Sequence, residues 1–161
     1  MVDGRLQRLL EQVKPNRFAV TEDYRSLVEA ALSELGCRAE DLVEEARRVY
    51  RRLTYQERKV VGYALTFMAE EAARRGEALE VGDLCRGLDY AFVEARGVHV
   101  KGRSAGDFCG FKARSSTFEF DEVGYGFLSH SINCVGVVKR AGLNAGFKAV
   151  NCRLIVGAGA T

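Results

Sequence analysis

From about residue 87 the chain repeats itself every eighteen residues, and few folds accept that period. Gly106, Gly124 and Gly142 stand eighteen apart, as do Ser115, Asn133 and Asn151, and Ser116, Cys134 and Cys152. Ala95, Ala113, Ser131 and Ala149 carry the step across four units, with Glu94, Lys112, His130 and Lys148 beside them. Segments 105–113 and 141–149, thirty-six residues apart, agree at six of nine positions. Eighteen residues are too few for a strand–helix–strand unit but suit two short strands and two turns. Coils of that size stack at an inter-strand spacing of ~4.8 Å. A single coil cannot bury its apolar face, so stacking builds the core.

The period divides the segment into four coils, 87–104, 105–122, 123–140 and 141–158. The first is the most degenerate, with Leu88 where the others carry glycine. The small column Ala95, Ala113, Ser131 and Ala149 fits a narrow interior. Gly106, Gly124 and Gly142 are expected at positive φ in tight corners. Asn133 and Asn151 are expected to hydrogen-bond along the stack. Cys134 and Cys152 are expected as a small buried apolar pair, because in-register neighbours rarely meet disulfide geometry.

Residues 1–80 follow the helical period instead. Leu6, Leu9, Leu10 and Val13 share one face, and Pro15 closes that helix. Thr21, followed by Glu22 and Asp23, is the expected cap of a second helix carrying Tyr24, Leu27, Val28, Ala31, Leu32 and Leu35, with Gly36 at its end. A third stripe runs Leu42, Val43, Ala46, Val49, Tyr50 and Leu53. Thr54 and Glu57 form a capping box for a fourth, Val60 to Ala72, ended by Gly76. Short connections make the helices antiparallel neighbours. The expected fold is α+β: a four-helix bundle over 1–80, then a short β-solenoid of about four coils over 81–161.

Composition narrows the functional classes. Thirteen of the seventeen glycines lie after residue 80, and the chain holds a single proline. The net charge of +2 argues against whole-protein attraction to nucleic acid or an anionic membrane. No apolar run approaches the ~18 residues of a membrane span, and the N-terminus lacks a signal-peptide core, so a cytoplasmic location is expected. Five cysteines without a C-x-x-C pair point away from a structural zinc site and from a secreted disulfide framework. Arginine outnumbers lysine 18 to 6 and the thermolabile amides are few, which fits a thermophilic source.

The pattern Ala-Gly-x-x-x-Gly-Phe-Lys-Ala, followed by Asn/Ser and Cys/Ser, resembles the glycine-rich right-handed β-solenoid repeats of the GXGXG class. That class includes the C-terminal domain of the glutamate synthase large subunit and the solenoid subunit of formylmethanofuran dehydrogenase; similar arrays occur in uncharacterised archaeal repeat proteins. The resemblance covers 87–158 and implies a right-handed coil serving as a structural module without catalytic residues. The literal Gly-x-Gly occurs at Gly124/Gly126 and Gly157/Gly159.

The chemistry-bearing residues are read in that light. Arg47, Arg48, Arg51, Arg52, Arg58 and Lys59 follow the acidic start Glu40, Asp41, Glu44 and Glu45 of the third helix. That order complements the helix dipole, and Glu44 can reach Arg48. With Tyr50 and Tyr55 alongside, the same run could hold phosphates and stacked bases. Lys112 and Lys148, with Arg96 and Arg114, could form a second cationic stripe able to receive an acidic partner or an RNA backbone. His130 stands between Lys112 and Lys148 in its column, and is read as a solvated histidine on a basic face. No residue sits at the fixed offset that a general base or nucleophile needs, so neither a catalytic set, a cofactor site nor a metal site is expected.

A solenoid presents unpaired backbone at each end. The helical half precedes the first coil and can cap it, whereas only a three-residue tail follows the last. The expected function is therefore a non-catalytic interaction or scaffold protein. Coil 141–158 would pair with a second copy or a protein partner. A nucleic-acid or ribosome-associated binder using 47–59 is the alternative.

Overall fold

The computed structural model describes residues 4–15 and 23–157. Four helices precede five parallel strands: α1 Arg5–Val13, α2 Tyr24–Leu35, α3 Ala39–Val49 and α4 Tyr55–Arg74, then β1 Leu79–Gly82, β2 His99–Ala105, β3 Thr117–Val123, β4 Val135–Ala141 and β5 Arg153–Val156. Among the described residues no helix is long and apolar enough to cross a membrane.

The helix ends follow local chemistry. Lys14, at φ 54°, turns the chain out of α1 ahead of Pro15. The expected cap Thr21 lies outside the described residues; Asp23 caps α2, its carboxylate accepting from the Ser26 N–H at 3.1 Å and the Ser26 hydroxyl at 2.6 Å. Gly36, at φ 64°, closes α2 as a left-handed residue. The third apolar stripe does not form one helix to Leu53. α3 stops at Val49, and a 3-10 turn spans Tyr50–Arg52. Leu53 and Thr54 must be extended there so that Thr54 can cap α4, and its capping box with Glu57 is complete. α4 is buried on nearly all sides from Val60 to Ala72, because helices cover one face and the solenoid the other.

The sheet order is β1-β2-β3-β4-β5, and each step from β2 to β5 is one coil. Val100, Phe118, Gly136 and Leu154 pair in register, as do His99, Thr117, Val135 and Arg153, so the eighteen-residue step is the step of the ladder. β1 joins ahead of the repeat with an irregular register. Each coil holds one strand and a single-residue bridge, Arg96–Arg114–Ile132–Val150, where the period had suggested two strands. Turns make up the rest of the circumference.

Those turns depart from expectation. Gly106, Gly124 and Gly142 are not among the positive-φ residues. Their columns are glycine because successive coils touch backbone to backbone. A Cβ on Gly142 would lie 2.8 Å from the Gly124 carbonyl carbon, and one on Gly106 would lie 2.7 Å from the Leu88 oxygen. Leu88 is tolerated at the head of the column because no earlier coil lies against it. Left-handed backbone falls instead in four other columns, at φ 51–74°, including Glu94–Lys112–His130–Lys148 and Phe92–Gly110–Leu128–Gly146. Each non-glycine residue there costs roughly 1–2 kcal/mol. Hydrogen bonds between coils offset it: Lys112 N–H to Ser129 O at 3.0 Å, Leu128 N–H to Cys109 O at 2.9 Å and Gly110 N–H to Ala91 O at 2.8 Å. The turns are thus laddered as fully as the strands.

The interior is filled by Phe92, Phe118, Phe120, Phe127 and Leu128, with Ala95, Ala113 and Ser131 buried in the small column. Asn151 donates its amide to Asn133 at 2.6 Å, continuing the stack outside. All five cysteines are free thiols, and the Cys134 N–H points at the Cys152 sulfur 3.4 Å away.

Candidate functional site

The first coil meets the helices through polar contacts that stand in for a missing coil. In the interior coils the residues equivalent to Arg96 donate N–H to the coil before, as Arg114 does to Ala95 O at 2.8 Å. Arg96 has no coil before it, and its N–H goes to the Glu70 carboxylate on α4 at 3.0 Å. The carbonyls equivalent to Val93 accept from the coil before; Val93 accepts from the Thr66 hydroxyl at 2.7 Å. Arg25 of α2 donates to Glu94 O at 2.9 Å and pairs with Glu70. Tyr50 accepts the Asp89 N–H at 2.8 Å, and Tyr63 donates to the Glu94 carboxylate.

Gly62 brings the α4 backbone so close to Tyr90 that any Cβ would strike the Tyr90 carbonyl. Burial pushes the Tyr50 hydroxyl up to about 12, and burial with the Glu94 charge pushes Tyr63 higher. For Arg25, burial favours losing the proton, but the hydrogen bond and charge of Glu70 outweigh it and the pKa rises.

The opposite end has no such cover among the described residues. Of the large apolar side chains that remain exposed, Leu143, Phe147, Val150, Ile155 and Val156 all belong to coil 141–158, with Leu143 at 74% and Val150 at 59% exposure. Ala149 is half-buried where its column mates are covered. Gly126, His130 and Asn133 donate N–H groups onto the last coil, at Leu143, Phe147 and Val150. The equivalent donors of the last coil, at Asn144, Lys148 and Asn151, meet no further coil among the described residues. Lys148 and Arg153 are the only charges on 141–157.

The basic run 47–59 is divided by the fold. Arg47 and Arg48 end α3 and Arg51 and Arg52 occupy the 3-10 turn, all four exposed. The Glu44–Arg48 pair does not form among the described residues; Glu44 and Arg48 both face solvent. Arg58 turns inward, stacks 4.7 Å from the Tyr50 ring and donates to Tyr50 O at 3.2 Å. Lys59 turns toward the first coil, its ammonium 5.7 Å from the Tyr24 ring and 5.3 Å from Tyr90. A nucleic-acid surface on this run is reduced to the four exposed arginines.

Lys112 and Lys148 share a column with Glu94 and His130, and His130 lies edge-on between Phe111 and Phe147 at 5.2 and 5.8 Å. The fold therefore joins two residues from separate sequence stripes: Lys59 and Lys112 line one cleft of about 310 Å³ between α4 and the first two coils. Burial, and then the neighbouring Lys112 charge, hold the Lys59 ammonium below the usual lysine range.

The sequence reading missed Tyr63, Thr66 and Glu70. Their signal was polar residues at i, i+3 and i+7 within the stretch of α4 that is otherwise mostly apolar, Val60 to Ala72. Among the described residues no cluster of three or more histidine, cysteine or acidic side chains is placed to hold a metal. Compared with protein-family models, curated proteins and solved structures, the chain matches none.

Proposed function

We propose that this is a non-catalytic interaction or scaffold protein that takes up an edge of another polypeptide, from a second copy or a protein partner, on coil 141–158. One observation carries the reading: the helices complete the first coil with side-chain hydrogen bonds, while the last coil leaves a strand edge and five large apolar side chains exposed. Edge strands with that character are templates for strand addition. A right-handed winding agrees with the strong preference of parallel crossovers, and four antiparallel helices acting as a bundle make a stiff cap. The resemblance to GXGXG-class solenoids, which act as structural modules, points the same way.

The test is light scattering over a concentration series combined with amide hydrogen exchange. The expected result is an assembly, or a complex captured from the native host, in which the 153–156 amides become protected. The change Ile155→Asp should abolish it. A strict monomer whose 153–156 amides are already protected by its own chain overturns the proposal.

A further inference from the structure

We infer that the cleft between α1, α3 and the start of α4 binds a small organic amine, its ammonium held by Glu45 and its apolar body by the cleft walls, independently of the strand edge on the last coil.

Glu45 is out of place on α3. Leu42, Val43 and Ala46 form the buried side of that helix, and Glu45 is buried with them at 6% exposure. The helix dipole accounts for acids in the first turn, here Glu40 and Asp41, and its effect ends there. The Oε1 atom of Glu45 is buried without a hydrogen-bond partner. Among the described residues the carboxylate forms no ion pair either. A carboxylate is acceptor-only. Burying one without a donor is costly, and folded proteins leave few such groups unpaired.

Glu45 lines a cleft of about 600 Å³ whose apolar walls are Leu6, Leu10, Val49 and Leu53. The other charged groups on it are Glu11, Lys14, Arg52 and Glu57. Glu57 accepts from the Thr54 N–H at 2.8 Å and Glu11 from the Gln7 amide at 3.1 Å. Lys14 and Arg52 stand exposed at the rim, and among the described residues neither pairs with an acid. Bringing either onto Glu45 would take its charge out of water and fix a long side chain, which offsets most of the gain of such a pair. Acids outnumber bases on the cleft three to two, so its charge does not repel a cation. What the cleft lacks is a donor at Glu45.

An amine supplies it. Its ammonium carries three donors and forms a charge-assisted hydrogen bond to the carboxylate. It faces the same desolvation as a rim lysine, but burial of its apolar body against Leu6, Leu10, Val49 and Leu53 is added to the balance. The volume falls within the roughly 300–1,000 Å³ of small-molecule sites. Apolar walls with one convergent polar group match the usual make-up of such sites.

Calorimetric titration of the full chain in low-salt buffer tests this with two amines, tryptamine and hexylamine. Each is paired with the alcohol of the same body, tryptophol and hexanol. At least one amine is expected to bind, by about tenfold or more over its alcohol, the gain of a charged over a neutral hydrogen bond. Glu45→Gln should remove that preference. The control Glu40→Gln, which takes the same charge from the same helix outside the cleft, should leave amine binding within about twofold. Glu45→Leu should melt above the unaltered protein when no amine is present, since it replaces an unpaired polar group with an apolar one. Three results overturn the proposal: neither amine binds, the alcohols bind as well as the amines, or Glu45→Gln binds amine as tightly as the unaltered protein. A lower melting temperature for Glu45→Leu would show the carboxylate to be paired within its own chain, and overturns it as well. Should Glu45→Gln fail to fold, the comparison of amine with alcohol on the unaltered protein decides.

Discussion

The two ends of the solenoid solve one problem in different ways. Both present a coil whose turns lack a neighbouring coil on one side, although β1 pairs with the strand of the first. At the turns of the first coil α4 supplies the missing partners from side chains, Glu70 for the Arg96 N–H and Thr66 for the Val93 carbonyl, and α2 adds Arg25 on the Glu94 carbonyl. At the last coil nothing among the described residues does so, and Leu143, Phe147 and Val150 face outward. The strand side of the first coil is thus finished by β1, and its turns by side chains of the helices. For the turns a helix suffices if its buried face carries polar groups at their spacing, and if a glycine, here Gly62, lets the two backbones approach. Burying an unpaired polar group costs about 1–3 kcal/mol, so the capped end is where the fold is most easily broken.

The largest effect is expected at the cap. Glu70→Ala leaves Arg25 buried without its carboxylate and the Arg96 N–H without an acceptor. The chain should lose about 3–5 kcal/mol in denaturant unfolding, as when a buried pair loses one partner. A loss below about 1 kcal/mol would mean that the cap is not what holds the first coil. A matched pair of substitutions sharpens the contrast next. Val138 and Val156 occupy one column in adjacent coils, Val138 at 2% and Val156 at 44% exposure. Val138→Ala should cost about 2 kcal/mol, and Val156→Ala under about 0.5 kcal/mol in the isolated chain. Equal costs would show that the last coil is covered in solution.

A narrower contrast concerns α2, which holds Arg25 in place. Its cap Asp23 has a pKa lowered chiefly by the Ser26 hydroxyl and then by the Ser26 N–H. Because the folded value lies below the unfolded one, the contribution of Asp23 is complete above the unfolded pKa. It disappears as pH falls through the folded value. Asp23→Ala should therefore cost about 1 kcal/mol at neutral pH, and the gap between variant and parent should close on acidification. A gap that persists in acid would place the contribution elsewhere.

Much of the fold is legible in the sequence. The ladder can be read because each column repeats a residue type at a step that backbone geometry enforces, so Ser115, Asn133 and Asn151 announce their stacking by spacing alone. Thr54 with Glu57 and Gly36 are legible because capping is local. The cap of the solenoid is not. Arg25, Tyr50, Tyr63 and Glu70 meet the first coil across twenty-six to sixty-nine residues of chain, with no period to connect them. The turn columns also mislead. Glycine suggests left-handed corners at Gly106, Gly124 and Gly142, yet Lys112, Leu128 and His130 adopt that conformation, held there by bonds between coils. The meeting of Lys59 and Lys112 follows from the packing of α4 on the first two coils, which neither the helical nor the eighteen-residue period encodes.

The ladder also makes chain length a quantised variable. Deleting one residue between β3 and β4 would bring Leu143 to the place of Gly142. Its side chain would then be driven at the Gly124 carbonyl carbon, which would lie 2.8 Å from even a Cβ there. Every left-handed corner downstream would fall on a residue whose neighbours are bonded for the adjacent column. Insertions and deletions within the stack are therefore compatible with the fold only in multiples of a whole coil. Relatives of such a chain should diverge in length by duplication or loss of complete turns, while the loops of the helical half remain free to vary one residue at a time.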